Sequence, residues 1–91
     1  VDVTVDATGN VLIADEGNDR IRVVAARTGT FYQQVMAKGH IYTVAGNGTF
    51  GFTGDGGPAT HAELGGAASV AVDGHGNLVI GDGRRIRLVT G

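Results

Sequence analysis

Residues 9–24, Gly-Asn-Val-Leu-Ile-Ala-Asp-Glu-Gly-Asn-Asp-Arg-Ile-Arg-Val-Val, return at 76–89 as Gly-Asn-Leu-Val-Ile-Gly-Asp-Gly-Arg-Arg-Ile-Arg-Leu-Val. The preceding turns match too, Val-Asp-Ala-Thr-Gly-Asn at 5–10 against Val-Asp-Gly-His-Gly-Asn at 72–77. Asp6, Asn10 and Asp15 lie 67 residues before Asp73, Asn77 and Asp82, whereas Arg20 lies 65 before Arg85. The second copy is therefore two residues shorter in its last turn. An internal repeat of short strands constrains the architecture before any site is considered, because each copy is one unit that must bury its face against a neighbour.

Taken in order, Val1, Val3 and Val5 alternate with Asp2, Thr4 and Asp6, the period-two pattern of a strand with one apolar face. Ala7-Thr8-Gly9 predicts a turn in which Asp6 accepts backbone N–H bonds and Gly9 takes positive φ. The nearly all-apolar run 10–15 predicts a second strand covered on both faces. Glu16–Asp19 predicts a turn, and Arg20–Ala25 a third strand with Ile21 and Val23 facing one way and Arg20, Arg22 and Val24 the other. Tyr32–Lys38 predicts one or two turns of helix stopped by Gly39. Ile41–Ala45 predicts a fourth strand. Residues 46–66 are glycine-rich, but Phe50, Phe52, Pro58 and Leu64 offer anchors, which predicts an ordered loop rather than a tether. Strands at 68–73, 77–82 and 85–90 repeat the first three.

Antiparallel strands joined by short turns make a meander. The fold class is all-β: about two four-stranded antiparallel blades of a β-propeller, the second lacking its outermost strand. Residues 1–46 form the first blade (strands 1–6, 10–15, 20–25 and 41–45), 47–66 the inter-blade loop and 67–91 the partial second blade. Propellers close about 4–8 blades around a channel, more than seven strands supply. Two readings follow: a piece of a longer chain, preferred because both ends cut through the pattern, or several chains closing a ring. Open strand edges also invite self-association.

Composition agrees with strands and turns. The chain has 91 residues, 17 glycines, one proline and 42% hydrophobic residues, with only 5% aromatic, so its core is built from Val, Ile, Leu and Ala. A net charge of −2 favours neither nucleic acid nor an anionic membrane as partner. Cysteine is absent, which excludes disulfides and thiolate metal sites. No run of about 18 apolar residues suits a transmembrane helix.

Val5–Val24 closely resembles the NHL repeat. The connection Ile41–Gly48, followed by Gly54-Asp55-Gly56-Gly57-Pro58-Ala59-Thr60, is similar to one found in bacterial multi-repeat NHL proteins. The second copy departs from the pattern, with Gly83-Arg84-Arg85 in place of Gly17-Asn18-Asp19-Arg20. The resemblance implies a six-bladed propeller in the complete protein, usually secreted or on the cell surface of a bacterium, and a role in binding other molecules. Some propellers of related shape are lyases or hydrolases, and animal members of the family can bind RNA.

Up-and-down topology sorts the loops into two ends. One end collects Ala7–Gly9, Arg27–Gly39 and Gly74–Gly76; the other collects Glu16–Asp19, Asn47–Gly66 and the turn at 83–84. Loops on a rigid scaffold are where binding residues sit. The candidate ligand-facing set is therefore Glu16, Asn18, Asp19, Phe50, Phe52, Asp55, His61 and Glu63.

Other chemistries find less support. The Asp6–Asn10 and Asp73–Asn77 turns lack the spaced carboxylates of a calcium loop. His40 and His75 fall at one end and His61 at the other, so they do not converge as zinc ligands. Gly54-Asp-Gly-Gly-Pro lacks the Lys and helix of a phosphate loop. Asp15, Asn18 and Arg20 read as a turn tied by hydrogen bonds and an ion pair. Arg20, Arg22, Arg84, Arg85 and Arg87, with Phe50 and Phe52, make RNA a minor reading. Ser69 has no His–Asp partners, and no catalytic, cofactor or metal residue is assigned. The sequence thus favours a non-enzymatic binding or scaffold module, engaging a protein, glycan or small ligand through its loop end. The alternative is a non-catalytic wall of a propeller lyase or hydrolase, contributing Asp2, Thr4 and Asp6 near a central channel.

Overall fold

The computed structural model describes residues 2–49, 51, 56–57, 59–83 and 85–89, with Glu16, Ala67, Ala68 and Arg85 described by backbone alone. The chain is all-β. Strands β1 (Asp2–Val5), β2 (Val11–Asp15), β3 (Arg20–Val24), β4 (Gly29–Phe31), β5 (Gln34–Met36), β6 (Ile41–Ala45), β7 (Ala67–Val72), β8 (Leu78–Asp82) and β9 (Arg85–Val89) follow in order. Single turns of 3-10 helix occupy Glu16–Asn18 and Ala59–His61. Among the described residues these strands make three antiparallel sheets: β1-β2-β3-β6, the hairpin β4-β5, and β7-β8-β9.

The repeat in sequence is a repeat in hydrogen bonds. In the first copy Asp6 Oδ1 accepts the N–H groups of Thr8 (3.0 Å) and Asn10 (2.9 Å), and Asn10 Nδ2 donates to Asp6 Oδ2 at 3.0 Å. In the second, Asp73 Oδ1 accepts from His75 (2.8 Å) and Asn77 (2.9 Å), and Asn77 Nδ2 donates to Asp73 Oδ2 at 3.1 Å. Gly9 and Gly76 supply the positive φ, at 97° and 81°. Cross-strand register is preserved as well: Asp15 faces Arg20 and Asp82 faces Arg85. The two-residue deletion is absorbed entirely in the turn, where Gly83 takes φ 61°.

The hydrogen bonds hold both Asp carboxyls below the ordinary 3.8. For Asp73 the Asn77 and His75 amides dominate. For Asp6 burial pushes the other way, and the donors Tyr32, Asn10 and Thr8 together outweigh it. A carboxyl with a depressed folded pKa contributes stability above its unfolded pKa and loses it as pH falls through the folded value. Melting temperature is therefore expected to stay level from pH 7 to about 5 and to drop below about pH 4. Circular dichroism melts across that range check this.

Residues 29–36 depart from the sequence-based expectation. Tyr32–Lys38 is not helical: the segment is a hairpin, β4 against β5, turning through Tyr32 (φ 50°) and Gln33 (φ 63°). Two successive positive φ values make a turn of the I′ kind, which ordinarily selects Asn and Gly. Tertiary bonds hold it here. Tyr32 Oη donates to Asp6 Oδ2 at 2.6 Å, Gln34 Nε2 donates to the Thr43 carbonyl at 2.7 Å, and Met36 is buried in the core. Burial and the Asp6 contact push the Tyr32 phenol pKa upward. Tyr32→Phe removes a bond to an ionised group and is expected to cost about 1.5–3 kcal/mol, read as a lowered melting midpoint at pH 7. The same variant should lose less stability than the parent on acidification, because Asp6 then has one donor fewer.

Leu12, Ala14, Ile21, Val23, Met36 and Val44 from the first half form one buried cluster with Leu64, Val70, Leu78 and Ile80. Each fully buried Leu or Ile contributes about 1.5–3 kcal/mol. The register explains which faces meet. Leu12, Ala14, Ile21 and Val23 occupy one face of the first sheet, whereas Val3, Val5, Val11 and Ile13 occupy the other. In the second sheet Val70, Leu78 and Ile80 are buried, and Ile86 and Leu88 point away. By sequence position Val70, Leu78 and Ile80 match Val3, Val11 and Ile13, while Ile86 and Leu88 match Ile21 and Val23. The two copies therefore stack face to back, not face to face.

Candidate functional site

The end of the molecule that gathers the β2–β3 turn and the long connection is built mainly by backbone contacts. Asp19 sits at φ 52°, and its carbonyl lies against Gly46. The Gly46 amide donates to the Ala59 carbonyl at 2.9 Å, and the Gly51 amide to Leu64 at 3.3 Å. Across the same end, Gly83 donates to the Gly66 carbonyl at 3.4 Å. The turn at 16–19, the start of the connection, residues 59–66 and the β8–β9 turn are thus neighbours.

Of the candidate ligand-facing residues, Asn18 is exposed, and its Nδ2 donates to Asp15 Oδ2 at 2.9 Å. Asp19 is half-buried and His61 is exposed. Glu63 is half-buried, with its carboxylate beside Gly51 and its carbonyl accepting Arg87 Nη1 at 2.6 Å. Phe50, Phe52 and Asp55 lie outside the described residues, as does the side chain of Glu16. Asp15 and Arg20 do not form the expected ion pair. Arg20 lies along Gly48 instead, and its Nη2 donates to the Asn47 carbonyl at 3.4 Å, tying the turn to the connection.

A residue pair that sequence reading missed lies beneath this end. Asp82, fully buried, meets Arg87 Nη1 at 3.1 Å, and its Oδ1 accepts the Gly65 N–H at 2.5 Å. Asp82 and Arg87 are diagonal neighbours on one face of the β8–β9 pair, since Ile80 faces Arg87 directly. The pair anchors residues 63–65 onto the second sheet. Its carboxylate and guanidinium are both engaged, so it is structural rather than reactive.

A groove of about 430 Å³ opens between the hairpin, β6 and β9, lined by Tyr32, Gln34, Val44, Leu64, Arg87 and Val89 among others. Two of its polar groups are already committed, Tyr32 to Asp6 and Arg87 to Asp82. The inner-strand carboxylates are committed too: Asp2 Oδ2 accepts the Val70 amide at 3.2 Å, and Asp6 serves its turn. Among the described residues no three His, Cys, Asp or Glu side chains gather to hold a metal ion. At the other end, His40 stacks on Tyr42 with ring centroids 6.4 Å apart. No helix among the described residues is long and apolar enough to cross a membrane.

Compared with known proteins, the chain matches no protein-family model and no curated sequence.

Proposed function

We propose that the chain is a non-enzymatic binding or scaffold module, about two blades of an NHL-type β-propeller presenting one loop end to a protein, glycan or small ligand. The observation that carries this reading is the face-to-back stacking of two copies of one antiparallel unit. That is how blades follow one another around a propeller. A second observation supports the non-enzymatic part: the carboxylates Asp2, Asp6, Asp73 and Asp82 all accept backbone hydrogen bonds. Asp6 and Asp73 fix turns, Asp82 anchors the connection, and Asp2 joins β1 to β7. Placement outside a bacterial cell rests on the NHL resemblance.

The loop end carries Asn18, Asp19, His61 and Glu63 on a scaffold of short turns, as binding residues on propellers require. An isotope-labelled sample titrated with a random-peptide pool, a neutral oligosaccharide mixture and single-stranded oligo(U) tests the reading. Shift changes are expected to gather at these four residues for one of the first two probes. Changes gathered at Ala7–Gly9 and Gly74–Gly76, conversion of a probe, or no response to any probe would contradict it. Salt-dependent binding of oligo(U) alone would favour an RNA surface.

A further inference from the structure

Each sheet has one face that the other sheet covers and one that it does not. The open face of the first sheet carries Val3 and Val5, 56% and 58% exposed, beside Val11 and Ile13. The open face of the second sheet carries Ile86 and Leu88, 77% and 63% exposed, beside Val79. The face of the second sheet that is buried is built from Val70, Val72, Leu78 and Ile80, the sequence equivalents of Val3, Val5, Val11 and Ile13. The face of the first sheet that covers it is built from Leu12, Ile21 and Val23, the equivalents of Val79, Ile86 and Leu88. The two open faces therefore reproduce, on opposite sides of the molecule, the two halves of the interface already formed inside it.

The polar groups follow the same correspondence. Asp15 and Arg22 occupy on the open face the positions that Asp82 and Arg87 occupy on the buried one. Arg87 is buried and donates to Asp82 and to the Glu63 carbonyl. Arg22 is half-buried, and its Nε is shielded from solvent with no hydrogen-bond partner. Arg22 thus lacks the kind of partner that Arg87 finds on the buried face, and a buried donor left unpaired is unfavourable.

We infer that the open face carrying Val3 and Val5 docks the Ile86 and Leu88 face of a second copy of this chain, head to tail. The occupant is a second copy because the chain itself carries the complementary surface, continuous in kind with its internal interface. The contact is heterologous: each copy offers a different face, so neither face pairs with itself. The inference rests on the face-to-back stacking and not on ligand binding at the loop end.

Complementation between two blocked variants tests it. The wild-type chain should show, by light scattering, a mass above the 9.2 kDa monomer that rises with concentration. Val5→Glu blocks one face and Leu88→Glu the other, so each variant alone should run as a monomer. Mixed, they retain one intact face each and should form a 1:1 dimer of twice the monomer mass. A monomeric wild type, a mixture that stays monomeric, or association of either variant alone would overturn the inference. Both side chains are more than half exposed, so folding should survive, and melting curves check it. Should either variant unfold, Val3→Glu and Ile86→Glu address the same two faces. Loss of the loop-end response in the titration above leaves these masses unchanged, so the two proposals fail separately.

Discussion

Asp82→Asn is expected to lower stability by about 3–5 kcal/mol, because it takes the Asp82 carboxylate away from the buried Arg87 guanidinium. Both side chains are shielded from water, Arg87 at 8% and Asp82 at 0% side-chain exposure, and the pair is closed at 3.1 Å. The substitution preserves shape, so the loss reports charge and hydrogen bonding rather than a cavity. It also disturbs the Gly65 amide, which donates to the same carboxylate. A domain of this length has only about 5–14 kcal/mol in total, so the melting midpoint should fall by more than about 10 °C. Replacing both partners, Asp82→Leu with Arg87→Leu, should cost less than either charge left alone, since no uncompensated ion remains. A double variant no more stable than Asp82→Asn would mean that the pair is not held away from water.

The second large effect is expected at Gly46. Its φ is +89°, and an added Cβ would meet the Asp19 carbonyl oxygen, with Arg20 Cα and Leu64 Cδ1 each at 3.0 Å. Two of these three neighbours are backbone, belonging to the β2–β3 turn and the start of β3, and cannot swing aside. Gly46→Ala therefore combines left-handed strain, about 1–3 kcal/mol, with overpacking of about 1–3 kcal/mol. Gly39 separates the two causes, having φ +81° and nothing within 4 Å of an added Cβ. Gly39→Ala should show the strain alone. Chemical denaturation of both variants, read as midpoint shifts at constant m-value, distinguishes them. Equal losses at the two sites would remove the close approach of the connection to the β2–β3 turn.

The three-strand units and their Asp–Gly–Asn turns were legible because the repeat presents each pattern twice. Period-two alternation and turn residues are local signals, and local signals decide strand and turn. The hairpin at 29–36 was not legible. Its turn residues, Tyr32 and Gln33, carry no preference for positive φ, and what holds them is Asp6, 26 residues away in sequence. Nor did Arg20 announce its partner. The Asp15–Arg20 spacing suggested an ion pair, whereas the pair that closes is Asp82 with Arg87, two residues beyond the matching Arg85 on the same face. That choice depends on which face is covered. Val3 and Val70 are alike in sequence pattern, and only the stacking makes one exposed and the other buried. Of the candidate loop residues, Asn18 and Asp19 lie in the turn beside Gly46, and His61 and Glu63 in the part of the connection that Gly46 and Gly51 bond to. Glu63 has in addition a structural task, because its carbonyl receives Arg87, which no motif signals.

Everything proposed about binding and assembly proceeds from the face-to-back stacking of the two repeat units. Methyl–methyl nuclear Overhauser effects on a dilute, labelled sample test it most directly. Cross-peaks are predicted from Leu12 and Ile21 to Val70, Leu78 and Ile80, and none from Leu12 or Ile21 to Ile86 or Leu88. Cross-peaks from Leu12 and Ile21 to Ile86 and Leu88 would show the units packed face to face and would contradict the account.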